Sequence, residues 1–162
     1  MRNPRSRGFT LIELLVVIGI IGILVAMATI NYMSALNKAR QKKTMADIRT
    51  IAAAWEARAA DVRGYNAAGA FSYPAAALDS TTLSSMLIPN YARALPMKDA
   101  WGTPFEFAVD VAASAGSASR YAIRSAGRDR VFESAAYEPG QTTDFDRDVV
   151  FSNGTFIVYP GN

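Results

Sequence analysis

From Phe9 to Ile30 the chain runs for 22 residues with a single charge, Glu13, and is otherwise built from Phe, Leu, Ile, Val, Gly, Ala, Met and Thr. A helix of that length rises about 1.5 Å per residue, roughly 33 Å in all, against a hydrocarbon core of about 30 Å, so the run is a transmembrane candidate. The competing reading is a cleaved secretory signal. Arg2, Arg5 and Arg7 form a basic start, and Ala26-Met27-Ala28 resembles an A-x-A cleavage site. Against that reading, the apolar stretch exceeds the usual length of about 7 to 15 residues and carries a carboxylate.

Glu13 is the anomaly within the run. A charge this deep costs on the order of 2.5–3.5 kcal/mol, so it calls for neutralisation or a partner. No Lys or Arg lies between Phe9 and Asn37. The nearby cation would have to be an amine made by cutting the chain after Gly8, either on the same chain, four residues away, or on a neighbouring subunit.

The stretch Gly8-Phe9-Thr10-Leu11-Ile12-Glu13-Leu14-Leu15-Val16-Val17 resembles the prepilin signature of type IV pilins and type II secretion pseudopilins. The resemblance implies that a prepilin peptidase cuts between Gly8 and Phe9 on the cytoplasmic side and N-methylates Phe9. It also implies that Glu13 pairs with the N-terminal amine of an adjacent subunit during assembly. Orientation rests on the resemblance as well, because the three leading arginines and Lys38, Arg40, Lys42 and Lys43 flank the run on both sides.

Beyond Ile30 the helical pattern turns amphipathic. Met45, Ile48, Ala52, Trp55, Ala59 and Val62 form one apolar stripe, Lys42, Arg49, Glu56 and Arg63 recur every seven residues as a solvated face, and Gly64 fits a C-cap. A helix from Phe9 to Arg63 would measure about 80 Å, a length suited to a structural or filament element. Trp55 reads as a packing anchor. Residues 64–100 form a loop-rich connector with a short helix near Thr82–Leu87, ended by Pro89. Strands are expected over Pro104–Val109, Arg120–Arg124, Val149–Phe151 and Thr155–Tyr159, the last two joined by the hairpin pair Asn153-Gly154, with Ala112–Ser119 a small-residue loop. The fold class is therefore α+β and pilin-like: a long N-terminal helix, membrane-spanning in its first half, packed on a small antiparallel sheet of three or four strands. The expected organisation is a leader over 1–8, a transmembrane and filament-core helix over 9–30, its amphipathic continuation over 31–63 and a globular domain over 64–162.

The chain has no Cys and no His, which excludes disulfide scaffolds, thiolate or imidazole metal sites and nucleophiles that depend on a His base. The net charge of +3 comes from 17 basic against 14 acidic residues. Arg2, Arg5 and Arg7 account for the whole excess, so without residues 1–8 the side chains stand at 14 against 14. The basic cluster at Lys38–Lys43 has no interleaved aromatics; it reads as a face that solvates the helix or touches lipid phosphate, and no nucleic-acid partner is expected.

Acidic residues gather in 129–148: Asp129, Glu133, Glu138, Asp144, Asp146 and Asp148. Asp144-x-Asp146-x-Asp148 opens like an EF-hand loop, but Val149 stands where the turn Gly is required and Thr155 where the bidentate Glu belongs, so an EF-hand is rejected. A different oxygen-ligand calcium site and a solvated turn paired with Arg128, Arg130 or Arg147 both remain open.

The resemblance continues here. Lys98-Asp99-Ala100-Trp101-Gly102-Thr103-Pro104-Phe105 and Tyr121-Ala122-Ile123-Arg124-Ser125-Ala126-Gly127-Arg128-Asp129 are similar to motifs of the G-type major pseudopilin of type II secretion. By that resemblance a structural calcium ion is held by Asp129 and Asp148, with Asp144 or Asp146 as additions and carbonyls near Ser125–Gly127. Arg130 replaces the family's Gly after Asp129, and Ile30 stands where the family commonly has Pro. The implied protein is a non-enzymatic pseudopilus subunit. It would be single-pass in the inner membrane with its C-terminal domain in the periplasm, embedded in lipid before it joins a homo-oligomeric helical filament with other pseudopilins on an inner-membrane assembly platform. The alternative is a type IV pilin or minor pilin for adhesion, motility or DNA uptake.

Overall fold

The computed structural model describes residues 8–62, 80–109, 120–133 and 137–161. Leader residues 1–7, Arg63, the Gly64 cap and the Ala112–Ser119 loop lie outside them. The chain divides into two units, Met1–Leu36 and Asn37–Asn162, so the expected amphipathic stretch 31–63 is split, with residues from Asn37 on counting with the globular part.

In the first unit the helix α1 (Leu11–Val62) begins, and every residue from Gly8 to Met33 is exposed. Leu11, Ile12, Leu14, Leu15, Ile18 and Ile23 each expose more than half of their surface.

In the second unit α1 continues against a sheet. The buried positions Asn37, Gln41, Thr44, Ile48, Ile51, Trp55 and Ala59 keep the three-and-four spacing of one helix face. This stripe starts earlier than the apolar pattern indicates, because its first three members are polar. Val62, expected to close the stripe, is 47% exposed. Helix α2 (Ser80–Leu87) buries Leu83 and Leu87 and stops before Pro89.

The strands are β1 (Glu106–Val109), β2 (Tyr121–Ser125), β3 (Gly140–Thr142), β4 (Val149–Ser152) and β5 (Thr155–Pro160), in one sheet ordered β1-β2-β4-β5-β3. Four follow expectation to within two residues at each end. The fifth corrects the antiparallel expectation: β3 pairs with β5 in parallel, Gly140 opposite Val158, so the sheet is mixed. Asn153 (φ 47°) and Gly154 (φ 84°) turn the β4–β5 hairpin with both central φ angles positive, as a type I′ turn demands.

The inward faces of the strands meet α1. Trp55 is fully buried, its ring 5.0 Å from Tyr121 and 6.1 Å edge-on from Phe107, within a cluster that includes Ile48, Ile51, Leu83, Ile123 and Phe151. Burying a side chain of this size stabilises the fold by about 1.5–3 kcal/mol. Glu56 departs from the solvated face assigned to it: it is half-buried and accepts the Tyr121 hydroxyl.

Candidate functional site: the helix start and the acidic loop

At the start of α1, Thr10 Oγ1 accepts from the Glu13 amide at 3.3 Å, while Glu13 Oε2 accepts from the Thr10 amide at 2.9 Å and from its hydroxyl at 2.8 Å. This is a capping box, Thr-x-x-Glu, which satisfies two of the backbone donors that any helix start leaves open. A carboxylate in the first turn also meets the positive end of the helix dipole. Glu13 therefore has a local partner already, a role its intramembrane position alone does not suggest and the Thr10–Glu13 spacing does. Gly8 and Phe9 precede the first turn, with Phe9 80% exposed and no atom within 4 Å of the space beside Gly8. The bond between them is accessible.

In the globular unit the two motif segments are tied together by Asp99. Its Oδ1 accepts from the Trp101 amide at 3.0 Å and the Thr103 amide at 2.8 Å, and its Oδ2 accepts the Ser125 hydroxyl at 2.7 Å. A buried carboxylate is tolerated here because three donors meet it. Thr44 of α1 accepts the Ala100 amide at 3.2 Å, which explains a polar residue in the buried stripe. Asp99, Ser125 and Thr44 thus fix the turn to both helix and sheet, and no single-residue signal in the sequence marks the three as one group.

The 129–148 carboxylates take separate partners. Asp129 Oδ1 accepts the Val131 amide at 3.0 Å and Asp144 Oδ1 the Asp146 amide at 2.9 Å, each closing its own turn. Asp146 is gripped by both arms of Arg128 at 2.7 and 2.6 Å, and that hydrogen bonding holds its carboxyl below the ordinary range. Arg147 pairs with Glu133 at 3.3 Å. Asp148 is fully buried. Its Oδ2 accepts the Tyr137 hydroxyl and, at 3.1 Å, the Glu133 amide, whereas Oδ1 has no partner among the described residues. Burial pushes the Asp148 carboxyl up, opposed by those two hydrogen bonds. Tyr137 also accepts from Arg124 at 2.7 Å, and Arg124 bonds Glu106, its register partner across β1–β2, at 2.7 Å. The chain Glu106–Arg124–Tyr137–Asp148 closes the loop onto the outer face of the sheet.

Calcium needs six to eight oxygens at about 2.3–2.6 Å. Among the described residues no three acidic side chains gather on one point, and Asp129, Asp144 and Asp146 point their bonded oxygens into turns or at Arg128. The orphaned Asp148 Oδ1 is a single donor. As placed, the four aspartate side chains do not converge into a calcium shell, and the partners they take are turn amides, Arg128 and Tyr137.

A lipid-length helix behind a capped Gly–Phe junction, on a chain that ends in a small α+β unit, defines the class of prepilin-like filament subunits. The prokaryotic N-terminal methylation motif matches residues 3–29. The chain is 31% identical over 133 residues to the type II secretion system core protein G of Klebsiella michiganensis, a match covering 81% of this chain and 89% of that one. Against the core protein G of Pseudomonas aeruginosa it is 31% identical over 117 residues, 66% of this chain and 76% of the relative. It is also 43% identical over 49 residues to the type IV major pilin protein PilA of Myxococcus xanthus, spanning 30% of this chain but only 22% of that protein. No solved structure gives a significant match. The chain belongs to the family of type II secretion system core protein G, a pseudopilin family.

Proposed function

We propose that the chain is made as a precursor with leader 1–8, is cut between Gly8 and Phe9 and N-methylated on Phe9 by a prepilin peptidase, and assembles through α1 into a periplasmic pseudopilus that serves protein export. The observation that carries this reading is the uncovered apolar surface of Phe9–Met33. None of the described residues buries it, so in this reading lipid covers it before assembly and neighbouring subunits afterwards. Before assembly the subunit is single-pass in the inner membrane with its globular unit in the periplasm, and its assembly partners are other pseudopilins and the membrane platform. A type IV pilin role has less support, since the pilin match spans 49 residues and the core protein G matches span most of the chain.

Mass spectrometry of the chain co-expressed with a prepilin peptidase should show residues 1–8 gone and one methyl group gained. An intact chain, or a cut after Ala28, would refute the reading.

In this reading the 129–148 loop is held by Arg128–Asp146, Arg147–Glu133 and the Tyr137–Asp148 contact rather than by calcium. A chelator should leave the melting temperature of the purified protein unchanged. An ion present at 100 times its dissociation constant would contribute about 2.7 kcal/mol, so a clear drop on chelation, restored by added calcium, would reinstate a metal at Asp129 and Asp148.

A further inference from the structure

Within the globular unit a cleft of about 520 Å³ lies between α1 and the β3–β5 edge, and what lines it is one-sided in charge. Lys38, Lys42 and Arg49 stand along it on a common edge of α1, spaced four and seven residues apart, and no carboxylate lines it. None of the three pairs with an acidic side chain among the described residues. The Arg49 guanidinium lies 5.1 Å from the centre of the Phe156 ring, a cation–π contact that braces it without neutralising it.

The second observation is independent of charge. Gln41 lines the same cleft, is 3% exposed, and its Nε2 has no hydrogen-bond partner among the described residues. A buried amide donor without an acceptor is destabilising, and a ligand oxygen would remove that cost. Three cations and an unmet N–H donor call for a compact anion rich in acceptor oxygens. The cleft is larger than an inorganic ion needs, and Met45, Ala46 and Pro160 give it an apolar side.

We propose that this cleft binds a phosphate group, and that its source is the headgroup of an anionic phospholipid held before assembly. Lys38 and Lys42 belong to the first basic cluster that follows the apolar run in the sequence, the position at which cations meet lipid phosphate. The choice of lipid as source rests on the membrane-anchored reading above; the phosphate chemistry does not.

The test uses full-length protein in neutral detergent, with native mass spectrometry reading bound lipid after addition of phosphatidylglycerol or zwitterionic phosphatidylcholine. Wild type should retain phosphatidylglycerol preferentially, and the Lys38→Gln/Lys42→Gln double variant should lose that preference by roughly tenfold or more. Both lysines are exposed, so the variant folds, and an unchanged melting temperature verifies it. Gln41→Leu should weaken retention without changing net charge. In a parallel arm inorganic phosphate is added alone: if it raises the melting temperature of wild type but not of the double variant, while the lipid shows no preference, the site is a phosphate site fed by the free ion and the lipid assignment is overturned. Equal retention of the two lipids together with no phosphate effect, or equal behaviour of wild type and double variant, overturns the proposal entirely. Partition of the protein into membranes is scored separately. A chain that inserts but shows no headgroup preference fails only here, and one that does not insert fails the membrane reading.

Discussion

Glu13→Gln should be processed and inserted like the native chain and yet fail to form filaments. Two roles meet in this one carboxylate, and Gln separates them. As the last member of the Thr10 capping box it accepts the Thr10 amide, and Gln at the same position can do so equally well through its carbonyl oxygen. As a charge it is the only acidic residue in Phe9–Ile30, and the amine exposed by cleavage at Phe9 is the cation proposed for it on an adjacent subunit. Loss of the cap alone costs about 1 kcal/mol at one end of a long helix. Loss of the ion pair strands a buried amine, and about 3 kcal/mol per contact is roughly a hundredfold in each addition step. A filament compounds that factor over its length, so Glu13→Gln and Glu13→Ala should be equally defective when sheared or purified filaments are quantified by immunoblot and electron microscopy. Normal filaments from Glu13→Gln, with Glu13→Ala still defective, would reduce the residue to a helix cap.

What could be read in advance follows from which forces leave a periodic trace. The apolar run, the stripe of Ile48, Ala52, Trp55 and Ala59, and the Asn153-Gly154 turn are each written in residue type, because burial repeats every three or four residues and a type I′ turn demands positive φ. Strand β3 leaves no such trace. Gly140-Gln141-Thr142 has no apolar alternation and follows Pro139, and as an edge strand it needs only the backbone of β5. Asn37, Gln41 and Thr44 continue the buried stripe but carry no apolar signal, and for Thr44 the reason for its place, the Ala100 amide, is distant in sequence. The acidic loop was legible as a charge cluster, but charge counts do not say which carboxylate meets which arginine. Arg128 takes Asp146 and Arg147 takes Glu133, pairings that exist only once the fold has brought residues 14 and 18 positions apart together. Glu13 reads from the sequence as a membrane charge, and its second role as the end of Thr-x-x-Glu comes with the hydrogen bonds at the helix start.

Gly127→Ala should be the most damaging glycine-to-alanine change among the described glycines of the globular unit. Gly127 has φ +69°, and a Cβ there would lie 2.8 Å from the Arg147 carbonyl oxygen, 2.9 Å from that of Phe145 and 3.0 Å from that of Asp146. Those oxygens belong to backbone, so the methyl cannot be accommodated by a rotamer change; residues 145–147 must move. Moving them breaks the bond from the Arg128 amide to Phe145 O at 2.9 Å and drags on Asp146 and on buried Asp148, which hold the loop to Arg128 and Tyr137. Gly102 isolates the conformational part of the effect, because it too has positive φ, +90°, but nothing lies within 4 Å of its Cβ position. Gly102→Ala should therefore cost about 1 kcal/mol, whereas Gly127→Ala should cost roughly 2–4 kcal/mol and lower the melting temperature by about 10 °C. Equal losses for the two variants would mean that the 145–147 segment yields freely, and that the close approach of its carbonyls to Gly127 does not hold the acidic loop in place.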